Sequence, residues 1–240
     1  MSKPSVPYQA SVFAELRRAI TNVAVPQHEP PAVVLRRRIV VGVTLVVGAV
    51  VLGFAFRRTP GEPGFCWLTL ALAAVWIVGA YASGPLHLGG INWRGRNQRP
   101  VISATTIGLL LGGIFVLGGL IATELPAVSG LITRVLQYAH QGSFLLIVMI
   151  TVVNAVAEEM FFRGALYTAL VRHRPVAIST ILYTAATMAS GNPMLGVAAI
   201  ILGTVCALER RASGGVLAPI LTHFVWGLIM VLALPPLLGV

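Results

Sequence analysis

The chain has 240 residues, of which 57% are hydrophobic and only 10% charged. A soluble domain carries about 25% charged residues, so the composition excludes an ordinary soluble enzyme and describes an all-α polytopic membrane protein. The net charge of +10 does not point to nucleic acid, because no basic patch is interleaved with aromatics or set in a recognisable module; it reads as the basic flanks of membrane spans facing anionic lipid.

Residues 1–38 read as a cytoplasmic leader, with no cleavable signal peptide. Val12, Phe13, Leu16, Ile20 and Val23 recur at helical spacing beside Arg17 and Arg18, which fits either a short amphipathic helix lying on the membrane surface or a loosely ordered tail. Arg36, Arg37 and Arg38 then introduce a first span, Ile39 to Phe56. The second runs from Phe65 to Ser83 and is followed by a polar loop with Arg94, Arg96 and Arg99. The third, Val101 to Thr123, holds the pairs Gly112-Gly113 and Gly118-Gly119, small residues that let helix backbones approach closely. Residues 124–142 suggest an interfacial helix. The fourth span is Ser143 to Phe162, the fifth Val176 to Ala189, the sixth Pro193 to Leu208 and the seventh Val216 to Leu234. Ser190-Gly191-Asn192-Pro193 permits only an antiparallel hairpin between the fifth and sixth. The expectation is a bundle of about seven transmembrane helices, eight if the leader or 124–142 embeds further. With the N-terminus inside, Arg94, Arg96, Arg99, Arg163, Arg172, Arg174, Arg210 and Arg211 share the cytoplasmic side and only Arg57, Arg58 and Arg134 lie outside, the asymmetry expected of an integral protein of the plasma (inner) membrane. Cys66 and Cys206 fall in apolar runs and read as packing residues; Trp76 and Trp226 read as packing or interfacial anchors; Thr44, Thr69, Thr180 and Thr184 read as hydroxyls bonded back to their own helices.

Glu158 and Glu159 are the acidic residues inside these apolar runs. Ionisable groups in a bilayer are costly and default to a functional hypothesis. Arg163 lies four residues after Glu159, on the same helical face and within ion-pair reach. Glu158 then points about 100° away, with Asn154 one turn back as its nearest polar companion. One carboxylate is neutralised; the other is left for chemistry or a metal.

The order Glu158-Glu159-x-x-x-Arg163, a Ser/Thr-rich apolar helix, a Gly-Asn-Pro hairpin, Glu209-Arg210-Arg211-x-Ser-Gly and Ala-Pro-Ile-Leu-Thr-His223 resembles the CAAX-processing and bacteriocin-processing (CPBP, or ABI) family of intramembrane proteases. The resemblance spans roughly residues 143 to 235. It divides one membrane domain into the leader (1–38), N-terminal helices (39–142) and a protease-like core (143–235). It implies an endopeptidase that activates water with a glutamate and a histidine, or on a bound metal such as Zn2+. Glu158 takes the place of the catalytic glutamate, Glu159 and Arg163 those of its partners, and His223 that of the histidine in the last motif. Two positions depart from the family. The FxxxH motif reads Tyr183-Thr-Ala-Ala-Thr187, so Thr187 stands where a histidine is expected, and His223-Phe-Val-Trp-Gly227 places Gly227 where an asparagine is expected.

A catalytic zinc site usually has three protein ligands. Glu158, Glu159 and His223 make a nominal set, at the expense of Arg163's partner. A threonine hydroxyl is a poor metal ligand and no general base near neutral pH, and glycine replaces an oxyanion donor worth about 10²–10³ in rate. As substitutes, His140 lies roughly 27 Å from Glu158 along helical rise; His173 sits in a loop; Cys206 is a soft candidate. Two readings stay open. One is an endopeptidase acting on a membrane-associated peptide or protein. The other is a non-catalytic scaffold or assembly subunit with a degraded site and no cofactor, which binds a membrane protein complex or anionic lipid through its basic loops. A transporter is a weaker third, since no inverted repeat is apparent.

Overall fold

The computed structural model of the chain describes residues 22–24, 30–93, 96–140 and 143–239. The leader stretch from Val12 to Ile20, whether helix or tail, and Arg94 lie outside them; Val23 is exposed coil. Helix α1 spans Pro31–Ala55 and α2 Pro63–Ser83. A two-stranded antiparallel ribbon follows, β1 Ile91–Trp93 against β2 Arg96–Gln98, with Ile91 opposite Gln98. Then come α3 Val101–Thr123, α4 Pro126–His140, and α5, which runs Phe144–Ala169 and passes through a π-helical segment at Met160–Leu166. Helix α6 is Pro175–Thr187, continued by a 3₁₀ turn at Met188–Ser190; α7 is Pro193–Ser213, α8 Leu217–Leu232 and α9 Leu234–Leu237.

Six of these helices, α1, α2, α3, α5, α7 and α8 (the last counted through Leu237), are long and apolar enough to cross a membrane. The expected fifth span is the exception. With its 3₁₀ turn α6 covers Pro175–Ser190, and 16 residues at 1.5 Å each reach about 24 Å, short of a hydrocarbon core of about 30 Å. It still runs end to end: Arg174 opens it at one end, and at the other Ala189 packs against Gly53 near the end of α1.

Three boundaries differ from expectation for physical reasons. Helix α1 begins at Pro31, eight residues before Ile39, because a proline at the first helical position has no N–H to leave unbonded and a φ already set for a helix. Arg36, Arg37 and Arg38 are therefore helical, and Arg37 is buried, donating from Nη1 to Ser83 Oγ at 3.1 Å. Helix α5 continues to Ala169, so Arg163 is not a cytoplasmic flank but lies inside the bundle, 1% exposed. Helix α7 continues to Ser213, which draws Glu209 into the helix as a further acidic residue.

Packing uses small residues. A Cβ on Gly48 of α1 would enter the ring of Trp76 on α2, and one on Gly112 of α3 would strike Ile229 of α8. Gly113 and Gly118, by contrast, face open space. On α1, Val43, Val46, Val50 and Phe54 form an exposed apolar stripe, suited to lipid. Helix α4 caps one end of the bundle as expected, with Ile132 and Leu136 buried against Leu234. Its Tyr138 hydroxyl lies 2.6 Å from the Arg58 carbonyl and 3.1 Å from that of Phe56. At the opposite end the segment after α2 is stitched to the α7–α8 turn by Gly90 N–H to Ser213 O (2.9 Å) and Val216 N–H to His87 O (2.8 Å). That end gathers Arg36–Arg38, Arg96, Arg99, Arg172, Arg174, Arg210 and Arg211, while Arg57, Arg58 and Arg134 lie at the other.

Candidate active site

The site is built on the middle of α5, where the α-helix gives way to the π-helical turn. Extra-residue turns of this kind re-aim side chains and recur at functional sites. Here the turn buries Phe161 and Phe162 against Trp76, with ring centroids at 4.7 and 5.1 Å, which anchors α5 on α2 and confirms Trp76 as a packing residue. The two glutamates just before it diverge.

Glu159 is fully buried. Its Oε1 accepts from Arg163 Nη1 at 2.8 Å, the pair expected from the four-residue spacing, and lies 2.8 Å from Nδ1 of His223 on α8. Arg163 also donates from Nη2 to the Gly203 carbonyl of α7 at 3.0 Å, and its guanidinium sits 4.7 Å from the centre of the Tyr183 ring. One carboxylate oxygen thus joins α5 to α8, and its arginine joins α5 to α7.

Glu158 turns the other way. Its Oε2 accepts from the Tyr183 hydroxyl of α6 at 2.8 Å, and Oε1 takes no hydrogen bond from the described residues. Asn154 is not its companion: Asn154 Nδ2 donates to the Ile150 carbonyl of its own helix at 3.0 Å. Glu158 and His223 nonetheless interact electrostatically, so α5, α6 and α8 face one locus. Around it several buried polar atoms have no partner in the described residues: Glu159 Oε2, Arg163 Nε, Thr180 Oγ1, Thr184 Oγ1 and Trp226 Nε1. For Thr180 and Thr184 this overturns the expectation of hydroxyls bonded back to their own helix; Thr69 does bond back, to Phe65 O at 2.9 Å.

The departures from the motif are visible as chemistry. Thr187 is one turn beyond Tyr183, and its hydroxyl donates to the Tyr183 carbonyl at 2.9 Å. Gly227 faces α5, where an added Cβ would lie 3.2 Å from Thr151 Cγ2. Neither supplies a ligand, base or oxyanion donor. Among the described residues no group of three or more His, Cys, Asp or Glu side chains is gathered to hold a metal ion. The nominal zinc set Glu158, Glu159 and His223 is not assembled: Arg163 and the ring Nδ1 of His223 occupy Glu159 Oε1, a cationic guanidinium stands against it, and Glu158 is drawn off to Tyr183. As gathered among the described residues, the set offers no three-ligand zinc site. Of the proposed substitutes, Cys206 is buried with its thiol 3.8 Å from the Pro219 carbonyl, and His173 is exposed in the turn after α5. His140 ends α4, at the far end of the bundle.

Three contributors were not assigned a role from sequence. Tyr183 was read only as the aromatic of its motif; a hydroxyl on that aromatic was the available signal. Gly203 lets α6 and the Arg163 guanidinium approach α7, since a Cβ there would lie 3.0 Å from the Tyr183 ring and 3.4 Å from Arg163 Nη2. Glu209, quoted only as part of the motif after the sixth span, has Oε1 2.8 Å from the Thr222 hydroxyl, which is also 2.9 Å from the Ala104 carbonyl. That contact ties α7, α8 and α3 together one residue before His223.

Residues 140–229 match the family model for type II CAAX prenyl endopeptidases, Rce1-like. No curated protein and no solved structure matches the chain. The matched stretch contains every member of the cluster, from Glu158 on α5 through Tyr183 and Gly203 to His223 on α8. The similarity to that family thus runs over 90 of the 240 residues and takes in the whole cluster.

Proposed function

We propose that the chain is an integral-membrane endopeptidase that hydrolyses a membrane-associated peptide or protein with a carboxylate and a histidine rather than a metal. The observation that carries this reading is the way Glu159 Oε1 grips both Arg163 and His223 Nδ1 while Glu158 keeps one oxygen unbonded. With Glu159 ionised against Arg163, the imidazole proton lies on Nδ1, and Nε2 is an acceptor. A water held between Glu158 Oε1 and His223 Nε2 donates one hydrogen to each, leaving its lone pair for the scissile carbonyl. Glu158 takes the water proton as the oxygen attacks, then returns it to the leaving amine as the C–N bond breaks. In this scheme His223 supplies the acceptor that Thr187 lacks, and Tyr183 holds Glu158 in place. Gly227 has no side chain to donate, and losing one oxyanion donor lowers the rate by about 10²–10³. The arginine-rich end is the cytoplasmic one, in the plasma membrane, by the bias of basic residues toward that side.

The test is cleavage of a membrane-anchored reporter peptide by the full-length protein in vesicles, read by mass spectrometry. Wild type cleaves; Glu158→Gln loses about 10²–10⁴ in rate; Tyr183→Phe falls by a smaller factor. Equal cleavage by Glu158→Gln would sink the proposal. A second reading, a scaffold that keeps the fold without turnover, is favoured by Thr187, whose hydroxyl is bonded back into its own helix. It is supported if wild type is inert and the Thr187→His/Gly227→Asn double variant gains activity.

A further inference from the structure

At the arginine-rich end a cavity of about 450 Å³ opens between the end of α5, the start of α6 and the end of α7. Its walls are largely apolar, from Tyr167, Val171 and Val176, and Arg174, Arg210 and Arg211 line it with no aspartate or glutamate. The height matters: Thr168, also in the wall, is one residue before α5 ends at Ala169. The cavity therefore sits where a spanning helix leaves the hydrocarbon and headgroups begin.

Among the described residues the three arginines meet no carboxylate. Arg210 donates from Nε to the Arg163 carbonyl at 2.8 Å and from Nη2 to Thr168 Oγ1 at 3.4 Å, both neutral acceptors, and lies 5.2 Å from the centre of the Tyr167 ring. Arg211 Nε is buried without a hydrogen-bond partner. The ion pairs within the described residues are Arg58–Glu62, Arg163–Glu159 and His223–Glu159; none involves Arg174, Arg210 or Arg211. Arg37 adds a further positive charge near Arg210, and Glu209 beside it turns away to Thr222. Arg174 is exposed, whereas Arg210 and Arg211 are half-buried; cations drawn partly out of water without a counter-charge are costly, and an anion with an apolar body answers both features of the cavity.

We infer that this cavity binds an anionic phospholipid, its headgroup phosphate between Arg174, Arg210 and Arg211 and its acyl chain along Val171 and Val176. Because Arg210 grips the Arg163 carbonyl inside the π-helical turn, the bound headgroup braces the segment that aims both glutamates. The site does not depend on peptide hydrolysis, and its test reads lipid directly.

Full-length protein is extracted from phosphatidylcholine vesicles carrying a minor fraction of phosphatidylglycerol, and the retained lipid is counted by native mass spectrometry. Wild type retains phosphatidylglycerol in preference to phosphatidylcholine. Loss of a charged hydrogen bond to the headgroup should make Arg211→Gln lower that preference about tenfold or more, and Arg174→Gln/Arg211→Gln further still. Arg211→Lys, which keeps the charge, retains most of it. Arg172→Gln is the control: Arg172 is exposed at the same end, does not line the cavity, and its loss changes the preference by less than about twofold. Equal losses in Arg172→Gln and Arg211→Gln would mean diffuse surface charge and overturn the site. So would displacement of the lipid by inorganic phosphate at matched concentration, which would make the cavity an anion site without a lipid.

Discussion

Arg163→Met tests whether the heart of the site is an ion pair. Arg163 and Glu159 side chains are 1% and 0% exposed and meet at 2.8 Å. Removing one partner of a buried pair leaves an uncompensated charge and costs about 3–5 kcal/mol. The Arg163 bond to the Gly203 carbonyl adds about 1–2 kcal/mol, since that carbonyl loses a charged donor. The single variant should therefore lose about 4–7 kcal/mol, a large part of a typical 5–15 kcal/mol. Adding Glu159→Gln removes the stranded charge, so the double variant should be more stable than Arg163→Met alone. The coupling energy should exceed about 2 kcal/mol. Neutral hydrogen bonds within bilayers couple by only about 0.6 kcal/mol on average, so the size of the term distinguishes charge pairing from ordinary polar packing. The assay is unfolding in mixed micelles titrated with sodium dodecyl sulfate, followed by tryptophan fluorescence, for wild type, both singles and the double. Additive losses, or a coupling near the neutral value, would refute the argument that Glu159 is held as an ion and with it the assignment of the His223 tautomer.

Three further outcomes follow from the packing and the motif. Gly48→Ala places a methyl in the Trp76 ring and should cost about 1–3 kcal/mol by overpacking, whereas Gly42→Ala, with nothing within 4 Å of the added Cβ, should be neutral or mildly stabilising in the same titration. Tyr138→Phe removes the hydroxyl near the Arg58 and Phe56 carbonyls and should cost about 1 kcal/mol, read as faster proteolysis around residues 124–142. Burial pushes the Tyr138 hydroxyl up from its usual range against the pull of Arg134, so it remains a donor and this difference should not change as pH is raised through neutrality. Gly227→Asn, with Thr151→Ala to relieve the 3.2 Å approach of Thr151 Cγ2, should raise the cleavage rate by about 10²–10³.

The spans were legible because hydropathy over twenty residues is a strong signal that needs no tertiary context. The Glu159–Arg163 pair was legible because it is local, one helical turn on a single face. The partition of the glutamates was not. Which carboxylate meets Tyr183 and which meets His223 depends on how α6 and α8 dock on α5, and on a π-helical turn that no periodicity announces. Arg163 was misplaced for a related reason: a charge near the end of an apolar run reads as its flank, yet Gly203 and Glu159 satisfy it inside. Glu209 was hidden likewise, because Glu209-Arg210-Arg211 has the composition of a solvated end and only the contact with Thr222 places it in the bundle.

The two departures from the family motif therefore do not weigh equally. A histidine at 187 would offer an acceptor near Glu158, but His223, held at Nδ1 by Glu159, already presents one at Nε2. An asparagine at 227 would offer a donor: Arg163 Nη1 and Nη2, Tyr183 and Thr187 direct theirs elsewhere, which leaves Arg163 Nε, Trp226 Nε1 and the Thr180 and Thr184 hydroxyls as the buried donors without a partner among the described residues. If hydrolysis runs on Glu158 and His223, restoring residue 227 should raise the rate far more than restoring residue 187. The opposite order would mean that His223 is a structural tie and that the missing base, not the missing donor, limits the site.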